Sequence, residues 1–360
     1  MSILTGQLAW RMLLILPHAT RSGKNRKMPE RAEKAERLPA DEAGIARAAE
    51  LLGAGELVAF PTETVYGLGA DAGDGQAVAR IFEAKSRPRF NPLIVHVASV
   101  EAASRLVDLP EIGRRLASAF WPGPLTLVAP RRANAGVAEL VSAGLPTLAV
   151  RVPEHEVAQA LLHRFGGPVA APSANPSGRV SPTTADHVLE GLGDRIAAVL
   201  DGGPCRVGLE STIIGLDTLG THAGEGGAAT LLRPGGLPVE AIEAALGARL
   251  GMPPAVAGIS SPGQLASHYA PSAPLRLAVT NPASGELWLG FGQSPGADLN
   301  LSPSGDLREA AANLFDHLRR LDRMGSGKCR IAVAPIPEKG LGLAINDRLA
   351  RAAAPRDRPG

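Results

Sequence analysis

The chain has 360 residues, of which 45% are hydrophobic and 20% charged, and its formal net charge is +2. This length allows one large folded domain or two ordinary ones, each with its own core. The near-neutral charge argues against a polybasic nucleic-acid-coating protein, and an aromatic content of 3% argues against base-stacking platforms. Cys205 and Cys329 form no CxxC pair, which disfavours a structural zinc site or a disulfide framework and favours a cytoplasmic setting.

The first forty residues differ from the rest of the chain. The apolar run 8–16 contains Arg11 and is shorter than the roughly 20 residues that span a membrane. Its basic cluster follows the apolar run, whereas a secretory signal has its charges first. We therefore expect no membrane segment and interpret residues 1–40 as a disordered extension. An alternative is that translation begins at Met28.

From Asp41 onward, helical and strand-like patterns alternate. Apolar residues recur at helical spacing from Ile45 to Leu52, and a second helix runs through Val78 and Phe82. Buried-strand patterns occur at 56–60, 93–97, 125–129, 147–152, 169–171, 198–200, 212–216 and 230–232. Alternation of this kind predicts an α/β domain with a sizeable sheet over residues 41–250.

A smaller α/β domain is predicted at the C-terminal end. Residues 251–274 are rich in Gly, Pro and Ser and lack periodicity, which is typical of a linker. Strand-like runs follow at 275–279 and 331–334, and Leu307–Met324 has the pattern of an amphipathic helix. We therefore assign residues 275–355 to the second domain.

Familiar nucleotide-binding signatures are absent from the sequence. No GxxxxGK[ST] motif occurs, and Gly67–Gly73 is one residue too long for a dinucleotide fingerprint. The eight histidines show no metal-ligand spacing. A bound nucleotide would therefore be held in another way.

Lys85 is the one lysine between Lys34 and Lys328, and Arg87 and Arg89 follow it. Lysine is a compact point charge and arginine a planar fork, so the two are not interchangeable at a site. One interpretation is a helix C-terminus enriched in cations, which favours the helix dipole. The other is a clamp for a polyphosphate, whose oxygens such groups bind.

Polar residues also share faces of the predicted strands. Thr147 and Arg151 lie on one face of their strand, and Ala171, Ser173 and Asn175 fall on one side if that segment stays extended. A solvent-facing edge strand is the alternative for Arg151.

Four further residues are candidates for ligand binding, each with a weaker signal or with a structural alternative. Tyr66 and Tyr269, the two tyrosines, lie in Gly- and Pro-flanked segments, which favours binding groups over packing. Ser181 precedes a predicted helix that it could cap, and His96 could be a core histidine with its hydrogen bonds satisfied.

Seven segments, in order, resemble the threonylcarbamoyl-AMP synthases with a YrdC-like domain. They are PTETVYGLGA (61–70), AKSRPRFNPLIVHV (84–97), FWPGPLTLV (120–128), LAVRVPEH (148–155), APSANPSGRVSPT (171–183), GLESTIIGL (208–216) and LLRPGG (231–236). SPGQLASHYAP (261–271) and GLGLAINDRLARAA resemble the family's longer form. That resemblance implies a YrdC-like twisted mixed sheet with flanking helices, a linker crossing the active site, and a small Rossmann-like domain.

The resemblance also implies a reaction and a set of site residues. L-threonine and bicarbonate form a carbamate, whose carboxylate attacks the α-phosphate of ATP, releasing pyrophosphate and threonylcarbamoyl-AMP. A separate transferase complex then modifies tRNA next to the anticodon. The family's catalytic tetrad corresponds to Lys85, Arg87, Ser173 and Asn175. Threonine would contact Thr64, His96, Arg151, Ala171 and Ser211. ATP would contact Arg87, Asn91, Thr147, Ser173, Ser181, Arg233 and Tyr269.

Mg²⁺ bound with ATP is the expected metal, with no redox or organic cofactor, and a weak tRNA contact is expected. Two rival functions stay open at this point. A YrdC-like cleft could bind RNA without synthase activity, which predicts affinity that falls steeply with salt. Carbamoyl transfer for hydrogenase maturation is the other, but those chains carry CxxC zinc fingers, which this sequence lacks.

Overall fold

A computed structural model of the chain describes residues 34–216, 229–252 and 267–355. Its strands are β1 (Glu36–Pro39), β2 (Val58–Phe60), β3 (Gly67–Asp71), β4 (Ile94–His96), β5 (Leu125–Pro130), β6 (Thr147–Arg151), β7 (Val169–Ala170), β8 (Ala198–Asp201), β9 (Thr212–Leu216), β10 (Ala229–Arg233), β11 (Leu275–Arg276), β12 (Leu287–Gly290), β13 (Leu299–Asn300) and β14 (Ile331–Val333). Its helices are α1 (Glu42–Gly53), α2 (Gly75–Lys85), α3 (Val100–Leu106), α4 (Glu111–Phe120), α5 (Glu139–Ser142), α6 (Glu156–Phe165), α7 (Ala185–Leu192), α8 (Val239–Leu246), α9 (Leu307–Met324) and α10 (Leu341–Ala353).

The first ten strands form one mixed sheet, in the order β1-β8-β2-β3-β7-β4-β6-β5-β9-β10. Apolar side chains on its two faces belong to different clusters: Ala59 packs in one with Ile81 and Leu127, and the next residue, Phe60, in another with Leu161. Because successive strand residues point to opposite faces, this alternation shows that helices cover both sides of the sheet. The predicted mixed α/β fold is confirmed.

Every strand predicted in the first domain is present within one or two residues of its expected ends, but β3 was not predicted. Its glycines obscured it, because glycine is depleted in strands. At Gly69 a Cβ atom would lie 2.9 Å from the Phe60 ring and 3.0 Å from the carbonyl oxygen of Val58. Tight packing against β2 therefore requires glycine, and the near-match to a dinucleotide fingerprint is a strand and a turn.

Strand β1 lies within the segment interpreted as a disordered extension. It pairs in parallel with β8 from Glu36 to Pro39, and Arg37 binds Asp201 and Asp186 at 2.6 and 2.9 Å. Residues 36–39 thus belong to the large sheet, and the prediction that the disordered extension continues to residue 40 is wrong. Its residues 1–33, and 253–266 of the expected linker, lie outside the described residues.

The last four strands form a parallel sheet in the order β11-β14-β12-β13. Helices α9 and α10 pack on it, and their core also takes in Val65, Leu209 and Tyr269 from outside this sheet. At Gly208, whose φ is +72°, a Cβ atom would lie 2.5 Å from the carbonyl oxygen of Ala311 in α9. This contact between the large domain and α9 therefore needs a glycine. No helix in the described ranges is long and apolar enough to cross a membrane.

Candidate active site

A cleft opens beside β4, β6 and the segments that follow β2 and β7. It is lined by Thr62, Thr64, Val65, Gly67, Arg87, Ile94, His96, Arg151, Ala171, Pro172, Ser173, Glu210, Ser211, Arg233, His268 and Tyr269. Nine of the fourteen residues predicted for the site are in this set: Thr64, Arg87, His96, Arg151, Ala171, Ser173, Ser211, Arg233 and Tyr269. The structure therefore gathers segments that lie up to about two hundred residues apart in sequence.

Lys85 lies just behind the cleft wall. It ends α2, is 1% exposed, and its Nζ donates to the carbonyl oxygens of Ser173, at 2.5 Å, and Asn175. Burial, and then the nearby positive charge of Arg87, hold the pKa of Lys85 well below its ordinary value. The Lys85 side chain thus fixes the 173–175 segment rather than the last turn of its own helix.

Arg87 borders the cleft and fastens the loop after α2. Its Nε and Nη2 donate to the carbonyl oxygens of Asn91, at 3.2 Å, and Pro92, at 2.9 Å. Burial lowers the pKa of Arg87 to about 10, so the guanidinium remains charged at neutral pH. The buried Oδ1 atoms of Asn91 and Asn175 have no hydrogen-bond partner in the described part of the chain.

Arg151 is buried at the cleft end of β6. This strand lies between β4 and β5, so the edge-strand interpretation is wrong. The Nη2 atom of Arg151 lies 2.6 Å from Oε1 of Glu63, and Nη1 of Arg151 donates to Oγ1 of Thr64 at 2.9 Å. Glu63 is 1% exposed and Arg151 4%. Glu63 is outside the cleft lining and affects the site through Arg151. No role was predicted for it, although a carboxylate within the PTETVYG segment was a signal.

His96 lies on β4 facing the cleft. Its ring packs edge-on against Phe60 with centroids 6.1 Å apart, and its buried Nδ1 has no hydrogen-bond partner in the described structure. Burial, and then the charge of Arg151, lower the pKa of His96 to about 3. The imidazole is therefore neutral at physiological pH, and its open nitrogen argues against a core histidine whose hydrogen bonds are satisfied.

Ser211 and Arg233 are in contact within the cleft lining. The Ser211 hydroxyl lies 2.7 Å from that of Thr126, and the Ser211 carbonyl accepts from Nη2 of Arg233 at 2.8 Å. Burial lowers the pKa of Arg233 from its ordinary value. Gly235 permits this arrangement, because a Cβ there would lie 2.5 Å from the Ser211 carbonyl oxygen.

Glu210 is the acidic residue among those that line the described cleft. Its Oε1 accepts from Ser181 at 2.5 Å, and its Oε2 accepts from Nε of Arg348 at 2.8 Å. Burial alone would raise its pKa, but Arg348 and then Arg233 bring the value below the ordinary one. Ser181 therefore serves this network, while Thr184 caps α7.

Tyr269 closes one side of the cleft. It has a φ of +60° and is 1% exposed, and its buried hydroxyl has no hydrogen-bond partner in the part of the chain described. The ring of His268 lies edge-on at 4.2 Å, and burial lowers the pKa of that histidine to about 3.

Five of the fourteen predicted residues lie outside the cleft lining: Lys85, Asn91, Thr147, Asn175 and Ser181. Tyr66, which was singled out as a binding group, also lies outside it. Tyr66 is a core residue, because it is fully buried and its hydroxyl donates to the carbonyl of Gly203 at 2.8 Å; the expectation that it binds a ligand is wrong. Thr147 begins β6, four residues before Arg151, which is about 13 Å along an extended strand. It is outside the cleft lining, so its contact with ATP remains a prediction.

The cleft as a whole suits an anionic ligand. Arg87, Arg151 and Arg233 converge on it, and Glu210 is the acidic group facing them among its described lining residues. Buried arginines bind carboxylates and phosphates strongly, since desolvation strengthens the charge-assisted hydrogen bonds. The arrangement can therefore position a polyphosphate beside a carboxylate substrate.

Comparisons with known proteins agree with this geometry. Residues 50–235 match the family model described as "Telomere recombination", and residues 237–354 match "Threonylcarbamoyl-AMP synthase, C-terminal domain". The chain is 44% identical over 333 residues to the threonylcarbamoyl-AMP synthase of Pyrococcus abyssi, covering 86% of this chain and 94% of the relative. It is 40% identical over 346 residues to that of Bacillus subtilis, covering 89% and 95%. The crystal structure of P. abyssi Sua5 complexed with L-threonine superposes with a TM-score of 0.79 at 41% identity, covering 89% of this chain and 97% of that one.

Proposed function

The chain belongs to the threonylcarbamoyl-AMP synthase family, and we propose that the cleft between Arg87, Arg151 and Arg233 is where it acts. The chain is an enzyme that makes threonylcarbamoyl-AMP from L-threonine, bicarbonate and ATP, with release of pyrophosphate. The observation that supports this location is the convergence of three arginines in a cleft whose described lining carries one carboxylate. ATP is a polyanion and threonine carries a carboxylate at neutral pH, so each presents negative groups to the arginines of this cleft.

Threonine occupies the Arg151 end in this proposal. Arg151 offers its guanidinium to the substrate carboxylate, and Glu63 offsets its charge when no substrate is present. The hydroxyls of Thr64 and Ser211 and the backbone of Ala171 complete this end of the pocket. His96 borders the same end as a neutral imidazole, available for hydrogen bonding.

ATP occupies the end bounded by Arg87, Arg233 and Tyr269. The two guanidinium groups face the phosphates, and Lys85 holds Ser173 and Asn175 in place behind them. The threonine amine and bicarbonate first form a carbamate with loss of water. A carbamate oxygen then forms a bond to the α-phosphorus while the α–β phosphoanhydride bond breaks, and the electron pair of that bond leaves on pyrophosphate. A carboxylate nucleophile is already ionised, so the protein's task is to position the reactants and stabilise charge on the phosphates.

Mg²⁺ enters with the nucleotide in this proposal, since magnesium commonly keeps several waters and binds substrate phosphates. The described cleft lining offers it no free carboxylate, because both oxygens of Glu210 already accept hydrogen bonds. The described part of the chain also contains no group of three or more Asp, Glu, His or Cys residues that could hold a metal. The metal would therefore be held mainly by ATP, where it screens the triphosphate charge.

The later fate of the product is part of the same proposal. The threonylcarbamoyl group passes to a separate transferase complex that modifies tRNA, and the enzyme itself makes at most a weak tRNA contact. Residence in the cytoplasm, where tRNA is available, fits this role.

The test is incubation of purified enzyme with ATP, threonine and bicarbonate, following pyrophosphate and the adenylate product by chromatography. We expect pyrophosphate release that requires both threonine and bicarbonate. Release independent of threonine would count against the proposal. The RNA-binding alternative predicts instead RNA affinity that falls steeply with salt and no threonine-dependent release.

A further inference from the structure

Helix α10 of the small domain inserts a fully buried arginine at the back of the active-site cleft. Arg348 is 0% exposed, although it belongs to a helix that packs on the four-stranded sheet. Its Nε donates to Oε2 of Glu210 at 2.8 Å, and its Nη1 donates to the carbonyl oxygen of Pro234 at 3.0 Å and to Asp347 at 2.6 Å. All but Asp347 lie more than a hundred residues away in sequence.

Such burial is costly, because a guanidinium and a carboxylate both lose their hydration. A small domain that needed only to fold would place an apolar side chain here. Arg348 instead donates hydrogen bonds to Glu210 and Pro234 at the edge of the cleft, which indicates a role in organising the cleft. Glu210 is the residue that Arg348 affects directly, because among the nearby charges Arg348 contributes most to lowering the pKa of the Glu210 carboxyl.

Through Glu210, Arg348 acts on Ser181. The ionised carboxylate accepts the Ser181 hydroxyl hydrogen at 2.5 Å, so that hydroxyl is held in one orientation. The Pro234 carbonyl that Arg348 binds is adjacent in sequence to Arg233, a cleft arginine. Arg348 thus reaches two of the residues proposed to hold ATP.

Arg348 also supports a third one, Tyr269. Its guanidinium carbon lies 5.0 Å from the Tyr269 ring centroid, and the Phe315 ring of α9 stacks on the same tyrosine at 5.8 Å. Together these contacts hold a residue whose positive φ is unfavourable for a side chain of that size. The tyrosine hydroxyl is left buried at the cleft, without a partner in the described structure.

We propose that Arg348 is a positioning residue through which the small domain sets the geometry of the ATP-binding half of the cleft. This inference rests on the proposed function, since it assigns Ser181, Arg233 and Tyr269 to ATP. The threonine half is organised by a different ion pair, Arg151–Glu63. Loss of Arg348 should therefore weaken ATP binding and leave threonine binding nearly unchanged.

The first variant is Arg348→Lys, which keeps the charge opposite Glu210 but lacks the fork that also reaches Pro234 and the flat face over Tyr269. We expect the ATP dissociation constant and KM to rise roughly tenfold or more, since hydrogen bonds from a charged group are lost. The threonine constants should stay within about twofold. Arg320→Ala is the control: it removes a half-exposed guanidinium of the neighbouring helix α9, which lies 3.6 Å from Asp316, and should leave both sets of constants unchanged.

A second variant covers the case in which Arg348→Lys fails to fold. Arg348→Met combined with Glu210→Gln removes both buried charges together, which is far less destabilising than removing one. We expect this double variant to fold, by circular dichroism and thermal unfolding, and to bind ATP weakly while retaining threonine. Equal losses of ATP and threonine affinity, or ATP affinity equal to that of wild type in whichever variant folds, would overturn the proposal. Failure of wild type itself to release pyrophosphate would instead overturn the proposed function.

Discussion

The buried ion pair between Glu63 and Arg151 allows a quantitative prediction of how much stability is lost when one partner is removed. Their atoms lie 2.6 Å apart, and the side chains are 1% and 4% exposed. Removing one partner of such a pair typically costs about 3–5 kcal/mol, because the other charge stays buried without compensation. Glu63→Gln keeps the shape and an acceptor oxygen, so we expect the lower end, about 3 kcal/mol.

Glu154→Gln is the matched control. Glu154 lies 2.7 Å from Arg206, almost the same separation, but these side chains are 55% and 68% exposed. Exposed pairs contribute at most about 1 kcal/mol. The same chemical change at nearly the same distance thus differs mainly in burial.

The measurement is thermal unfolding of both variants beside wild type, with and without threonine. A loss of about 3 kcal/mol should lower the midpoint by roughly 5–10 °C, and the control should stay close to wild type. Threonine should raise the Glu63→Gln midpoint more than that of wild type, because its carboxylate supplies the missing negative charge. Equal midpoints for the two variants would refute the burial argument. An unchanged threonine effect would remove Arg151 from carboxylate binding.

Three further outcomes are expected. Arg87→Ala should abolish threonine-dependent pyrophosphate release while the circular dichroism spectrum is retained, and an unchanged rate would remove Arg87 from the site. Lys85→Met should reduce activity at least about a hundredfold, because the buried carbonyls of Ser173 and Asn175 lose their shared donor. Activity close to that of wild type would contradict this role. Bonds from Arg276 hold the pKa of Glu286 to about 2, so the stability that Glu286 contributes relative to Glu286→Gln should be present above pH ~4.3 and lost as pH falls toward 2. A stability difference that does not depend on pH would refute that linkage.

The fold was largely predictable from the sequence because its strands are buried and apolar. The runs at 125–129 and 212–216 have no other stable place than the interior of a sheet, and β5 and β9 lie there side by side. Strand β3 was missed because its glycines satisfy a packing requirement imposed by Phe60 on a neighbouring strand. Strand β1 was missed because its pairing partner, β8, lies about 160 residues further along the chain.

The sequence by itself determined the residue types that the site uses and the segments that carry them. The single lysine at 85 and the alternation that puts Arg151 on one strand face are local features, so they can be read directly from the sequence. The tertiary structure alone decided how those charges are compensated: Glu63 opposite Arg151, and Glu210 between Ser181 and Arg348. The cause is physical, since a buried charge is stabilised by whichever groups lie within a few ångströms of it. Here those groups come from positions 29 to 138 residues apart, and no local pattern encodes that distance.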